Sequence, residues 1–219
     1  MVDYESVSKN ADIRSYIIAA DESLKALGYT EHSFAHVTKV AKTAAYILST
    51  LGFDEHTVEV AMIAGFLHDI GNLVNRVDHS QSGAIIAFRI LDKMGMPAED
   101  IGAIVTAIGN HDEGTGVAVN PIAAALILAD KSDVRRSRVR NSDFSTFDIH
   151  DRVNYSVEHS ELNITEDKKG MVLTLKVDSS ISSVMDYFEI FLGRMIMCRK
   201  AAESLGLKFS LIINDQQLL

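Results

Sequence analysis

The chain has 219 residues, 47% of them hydrophobic, enough for one large domain or a domain with an appendage around a substantial core, which excludes a disordered chain. Its 21 basic and 30 acidic side chains leave a net charge of −9, which argues against a general nucleic-acid binder held by bulk charge. A lone cysteine, Cys198, excludes an internal disulfide and a Cys-rich zinc site, and the acidic start MVDYESVSKNADIR, with no apolar run of about 18 residues, reads as a soluble cytoplasmic protein without a membrane partner.

In chain order, Phe34, Val37, Val40, Ala41, Ala44, Ile47, Leu48 and Leu51 recur at three- and four-residue steps, which predicts a helix closed by Gly52. A second helix is predicted from about Glu55 to the adjacent pair His68-Asp69, with Gly71 as its stop. A third covers SGAIIAFRILDKM, and a fourth starts at Pro97 and carries Ile101, Ile104, Val105 and Ile108. Asn120 and Pro121 are a good cap and first residue for a fifth helix, PIAAALILADKSDVRRSRVR. After about residue 145 the period changes. VNYSVEHSELNITEDKKGMVLTLKVD alternates apolar and polar residues about a charged, Gly-containing turn, which predicts a hairpin. A helix from Ile181 to about Leu205 and a strand in LKFSLIIND complete a small sheet with one crossover helix. The stripe of Val184, Met185, Phe188, Phe191, Leu192, Met195 and Ile196 on that helix is explained most simply by core packing or a homodimer face, and Cys198 beside it by a buried small hydrophobe.

Histidines and carboxylates, the natural ligands of a borderline divalent ion, recur along this series: His36 in the first helix, His68 and Asp69 ending the second, His79 beginning the third, His111 after the fourth and Asp130 in the fifth. Any one alone is better explained as a structural side chain; together they describe a site assembled from several elements. The ordered set, inside LHDIG and ILADKSD, resembles the HD superfamily of metal-dependent phosphohydrolases, whose signature is a separated His, an adjacent His-Asp pair and a distal Asp on a helical bundle. The matching positions are His36, His68, Asp69 and Asp130, and the resemblance covers roughly Thr30 to Arg140. His79, four residues before Gly83-Ala84, and His111 in NHDEGTG resemble the further histidines of members that hold two metals. The paired histidines and Gly-Tyr-Pro signature of the cyclic-dinucleotide branch are missing, which disfavours cyclic di-GMP.

The resemblance implies His36, His68 and Asp130 around one ion, His79 with His111 around the other, and Asp69 between them. A second possibility is one ion on the four-residue core alone. Iron, manganese, zinc or nickel suit the set. Two such ions, roughly 3.5 to 4 Å apart, lower the pKa of a bound water and offset charge developing on phosphoryl oxygens. Lys131, Arg135 and Arg138 are predicted to lie on one helical stripe that binds phosphate oxygens, and pairing with Asp133 or Asp143 is the plainer alternative. His68, Asp69 and Lys131 are the expected catalytic residues. His32, one turn before His36, is expected to cap the helix or face solvent, with a place in the site as the alternative; Asp112 and Glu113 are expected on a surface loop, with support of the ligands or a general-acid role as the alternative; and Arg89 is a weaker substrate contact. No phosphate-binding glycine loop and no Gly-x-Ser-x-Gly elbow occurs.

The expected fold class is mainly α (α+β): residues 1–145 an HD-type helical metal-binding domain, residues 146–219 an α/β appendage with a small antiparallel sheet and crossover helix packed on it. The expected function is hydrolysis of a phosphate ester or anhydride of a small molecule, in first place a nucleotide. The alternatives are a metal-containing, non-catalytic nucleotide-binding regulator and the di-iron oxygen chemistry that a few relatives of this fold support.

Overall fold

The computed structural model describes residues 2–219 and opens on two helices that precede the first predicted one, α1 (Tyr4–Lys9) and α2 (Ala11–Ala26). Asp3 and Asn10 cap them, the Asn10 side chain accepting from the amides of Asp12 and Ile13. Only Ile13, Ile17, Ala20 and Leu24 of α2 are buried, a one-residue-wide stripe diluted by polar neighbours, which is why its periodicity is faint.

α3 (Phe34–Leu51) follows the prediction to its end, where Gly52 adopts φ 89°. α4 (Glu55–Leu67) is buried from Val60 to Leu67 except at the half-buried Met62, and packs against α3. It stops one residue before His68, and Ile70–Leu73 forms a tight 3₁₀ turn that carries the chain to α5 (His79–Met94). α6 (Ala98–Gly109) and α7 (Pro121–Lys131) complete the helical part, α7 with Ile122 to Ala129 wholly buried.

The predicted fifth helix does not continue to residue 140. α7 ends at Lys131, after which the backbone turns, buries Val134 and makes a short 3₁₀ turn at Arg136–Arg138. Asp133, Arg135 and Arg138 have partners on distant parts of the chain, and reaching them requires leaving the helix. Lys131, Arg135 and Arg138 therefore form no stripe.

In the C-terminal part, α8 (Ile149–Ser156) takes up residues expected in the alternating stretch, and β1 (Val157–Ile164) pairs antiparallel with β2 (Gly170–Val177), Leu162 opposite Leu173. Met171, Leu173, Leu175 and Val177 are buried as the alternation predicts. α9 (Val184–Ser204) contacts both α7 and β3 (Lys208–Ile213), and β4 (Gln216–Gln217) closes the order β1-β2-β3-β4. The sheet is mixed and not antiparallel throughout: β2 and β3 are parallel, because α9 returns the chain across the sheet to the end from which β2 started. Cys198 is buried on α9. Among the described residues no helix is long and apolar enough to cross a membrane.

Glycines bring the His68–Leu73 turn against α5. A Cβ on Gly71 would fall 1.9 Å from the His79 carbonyl oxygen and 2.4 Å from the Gly83 amide, and a Cβ on Gly83 would lie 3.2 Å from the His68 carbonyl. Replacing Gly71 with alanine must push α5 outward, and the expected loss is about 1–3 kcal/mol of stability. The shift should also reduce metal bound through His79 before it affects His36. Thermal melting together with elemental analysis of Gly71→Ala measures both, and unchanged stability would contradict this packing.

Candidate metal centre

Six chemically suited side chains come from the ends of five elements and meet at one point: His36 in the first turn of α3, His68 and Asp69 just past α4, His79 opening α5, His111 just past α6, and Asp130 in the last turn of α7. His36, His68 and His111 are fully buried, and His79 and Asp69 nearly so.

Helix ends explain how the histidines are aimed. The last carbonyls of a helix lack backbone partners, and His68 and His111 each use one, their Nδ1 atoms lying 2.8 Å from the Gly65 oxygen and 2.6 Å from the Ile108 oxygen. His79 Nδ1 lies 3.1 Å from the Arg76 oxygen, and His36 Nδ1 lies 2.8 Å from Asp133 Oδ2. Carbonyl and carboxylate oxygens only accept, so each Nδ1 carries the ring proton and each Nε2 presents a lone pair to the interior.

Those lone pairs converge on the two oxygens of Asp69. His36 Nε2 and His68 Nε2 are 3.3 Å apart and lie 3.5 and 3.3 Å from Asp69 Oδ2. Asp130 Oδ1 joins them at 3.3 Å from His36 and 3.6 Å from His68. On the other side, His79 Nε2 is 3.5 Å from Asp69 Oδ1 and 3.2 Å from His111 Nε2. Donor atoms of His36, His68 and Asp130 lie within 4.8 Å of one another, as do those of His68, Asp69 and His111. Nitrogens facing each other this closely, with their protons committed elsewhere, repel unless a cation stands between them. Ligand bonds of roughly 2.0–2.2 Å around one ion give separations of this size. The donor set fits binding of divalent metal beside Asp69.

The charges agree with this. Burial opposes ionisation of Asp69 and Asp130, yet His68 and the neighbouring cations outweigh it and hold both carboxyls well below the usual range. Burial pushes His32, His79 and His111 toward the neutral form. Burial also disfavours a charged His68, but Asp69 and Asp130 outweigh it and its pKa is pushed up to about 10. A proton and a metal ion therefore compete for the His68 lone pair, and metal affinity decreases as the pH is lowered.

Asp133 is the chief residue that sequence reading placed only as a partner for basic side chains. Its fully buried carboxylate holds His36, receives Lys39 Nζ at 2.8 Å and accepts from Arg135 Nε at 3.0 Å. The signal was its position one turn after Asp130, on the same side of the helix end. Arg135 also reaches Glu31 at 3.0 Å, and Arg138 donates to the backbone oxygens of Glu31 and Asp133, both at 2.9 Å. The two do not share a helix face: Arg135 is held by Asp133 and Glu31 rather than by Asp143, and Arg138, anchored on those two backbone oxygens, lines a cleft together with His32 and Arg76.

Lys131 does sit at the centre's edge, 2.7 Å from Asp130 Oδ2 and 3.7 Å from Glu113. Glu113 ties Lys131 to Arg194 of α9, whose Nε lies 2.6 Å away, so it has more than a loop role. His32 is neither cap nor surface residue: its side chain is 10% exposed, with Nε2 4.0 Å from Asp69 Oδ2. Its ring packs edge-on against His36. Arg76, which carried no motif, places Nη1 3.8 Å from Asp69 Oδ1. Arg89 is exposed beside Asp12 and Lys93, in a cleft that none of the six donors lines.

Residues 33–137 match the family model described as HD domain, a span that contains all six converging residues and Asp133. Uncharacterized protein MJ1020 of Methanocaldococcus jannaschii is 24% identical over 211 residues, covering 85% of this chain and 79% of its own length. A crystal structure of a predicted HD superfamily hydrolase from an uncultured Thermotogales bacterium aligns at 27% identity, with 60% of this chain and 73% of that one covered and a TM-score of 0.44.

Proposed function

From the premise that residues 33–137 are an HD domain, and the chain thus a member of the HD-domain superfamily of metal-dependent phosphohydrolases, we propose that it hydrolyses a phosphate ester or anhydride of a small molecule, in first place a nucleotide. The observation that carries the reading is the pair of facing Nε2 contacts, 3.3 Å between His36 and His68 and 3.2 Å between His79 and His111, with one carboxylate between them. His36, His68 and Asp130 hold one ion, His79 and His111 the other, and Asp69 serves both. Divalent ions bound there supply a water of lowered pKa and neutralise charge on phosphoryl oxygens; iron, manganese, zinc and nickel all suit imidazole with carboxylate.

The chain's own groups do the rest. Nδ1 contacts hold the imidazoles in register. Lys131, buried against Asp130, brings an ammonium to the edge of the centre where a phosphoryl oxygen enters. Arg76 stands over Asp69 and takes the position that a basic stripe after α7 was expected to supply.

Metal content of protein purified without chelator, by elemental mass spectrometry, tests the centre. About two ions per chain are expected in the wild type and about one in His79→Ala with His111→Ala. Phosphate release from a nucleotide panel, with the metal so identified, then tests the reaction. No bound metal, or no phosphate release by the loaded protein, overturns the reading. A nucleotide-binding regulator is the second reading, favoured by how deeply the centre is buried; tight nucleotide binding without phosphate release would decide for it.

A further inference from the structure

A cleft of about 420 Å³ opens beside the metal centre, with His32 and Arg76 on its lining next to Asp69. Its outer wall lies outside residues 33–137: Asp148 and Asp151 come from the start of α8, and Phe191 and Arg194 from α9.

Three guanidinium groups line this one cavity. Arg138 is the buried one, its side chain 5% exposed. Its Nε and Nη1 are spent on the backbone oxygens of Glu31 and Asp133, while Nη2 makes no hydrogen bond among the described residues. Burial disfavours the charge of Arg138, Asp133 and Asp130 favour it, and Arg194, close by, opposes it more weakly. Arg194 lies over the Phe191 ring at 4.3 Å and donates through Nε to Glu113. Each of the three has a carboxylate nearby, Asp69, Asp133 or Glu113, but three guanidinium forks on one small cavity offer more donors than these pairs use, which suits an anionic ligand. The same lining also carries two carboxylates, Asp148 and Asp151. Asp148 accepts the Asp151 amide and Asp151 is 3.3 Å from Asn141 Nδ2, so each retains oxygen lone pairs for a ligand's donors. Tyr29 adds a half-exposed ring. The volume is at the low end for ligand pockets and has no room for a polynucleotide.

We propose that α8 and α9 complete the substrate site, Arg138 and Arg194 binding with Arg76 the phosphate of a phosphorylated ribose, and Asp148 and Asp151 accepting hydrogen bonds from its vicinal hydroxyls. The assignment rests on the phosphohydrolase reading for its chemistry, but not for its binding. Phosphorylated ribose occurs free or within a nucleoside monophosphate, and the lower KM of the two identifies the source.

The test uses the full, metal-loaded chain with AMP, ribose 5-phosphate and p-nitrophenyl phosphate. Arg194→Met is expected to raise KM for all three by roughly 10- to 100-fold, the effect of losing a charge-assisted hydrogen bond, and Arg194→Lys to recover part of it. Asp151→Asn is expected to raise KM for AMP and ribose 5-phosphate by a larger factor than for p-nitrophenyl phosphate, which has no hydroxyls to hold. Equal factors for all three in Asp151→Asn, or wild-type KM in Arg194→Met, overturn the proposal. If the wild type turns over none of them, calorimetric binding of AMP and ribose 5-phosphate to the same proteins decides. Binding that Arg194→Met loses sustains the cleft assignment while the hydrolase reading falls; absent binding, or equal binding by both, overturns it. Thermal melting of each variant verifies that it is folded.

Discussion

Asp69→Ala is expected to hold no more than one ion and to lose phosphohydrolase activity by at least about a hundredfold, a floor taken from what outer partners of a metal ligand alone produce when removed. Asp69 is the one residue whose two oxygens face different histidine sets, Oδ2 at 3.3 Å from His68 and Oδ1 at 3.5 Å from His79. Without it the far set keeps only the two imidazoles of His79 and His111, too few for an ion in competition with water. The near set keeps His36, His68 and Asp130 but loses a quarter of its donors. The helices are expected to survive, because Asp69 lies past the end of α4 and its carboxylate caps none of them. Elemental analysis and circular dichroism on one preparation separate loss of metal from loss of fold. Two ions and full turnover in a folded Asp69→Ala would remove the basis of the proposed two-metal centre.

Asp133 carries the second large effect. Asp133→Ala leaves Arg138 buried without its carboxylate and strips Lys39 and Arg135 of a shared partner. Breaking a buried charge network by removing one member costs about 3–5 kcal/mol. The same substitution frees the His36 ring to rotate, and metal affinity on that side is expected to fall about 10- to 100-fold. Asp133→Asn retains an acceptor for His36 Nδ1 while removing the charge. It is expected to keep most of the metal affinity and lose most of the stability, which distinguishes the two roles. If both variants melt with the wild type, the network is not what stabilises this region.

The pH dependence has a definite sign. Burial raises the Asp133 pKa, but the hydrogen bond from His36, with the charges of Arg138 and Lys39, outweighs it and holds the carboxyl well below its ordinary value of 3.8. A depressed carboxyl stabilises the fold fully above the unfolded value and progressively less as pH falls below it. Acid titration of the wild type should therefore show a loss of stability beginning near pH 4, and Asp133→Asn should show a shallower loss over the same range.

Much of the helical part is legible along the chain, and the reasons are local. Phe34 to Leu51 shows its buried face at three- and four-residue steps and ends on a glycine that adopts a left-handed conformation. Asn120 and Pro121 start α7 as their chemistry requires. Met171 to Val177 alternates because one face of β2 is buried. The faint cases are faint for physical reasons too: the buried stripe of α2 is too narrow to stand out, and α8 interrupts an alternating stretch through Asp148, a cap that outweighs β-propensity.

The chain alone determined which chemistry is available, since imidazoles and carboxylates at the ends of apolar helices can do little else jointly than bind a cation. It also determined their order and the helices that present them. Only the tertiary structure decided which cations face the centre. Arg135 and Arg138 look like a phosphate-binding stripe as long as the helix is assumed to continue, but Glu31, 104 and 107 residues away in sequence, draws both out of it. Arg76 and Arg194 arrive from separate segments with no motif to mark them, and His32, marked only by standing one turn before His36, turns inward. Periodicity reports what a residue does for its own helix; an ion pair or a cavity wall between distant segments depends on how the helices pack, and that packing is set by the whole core at once.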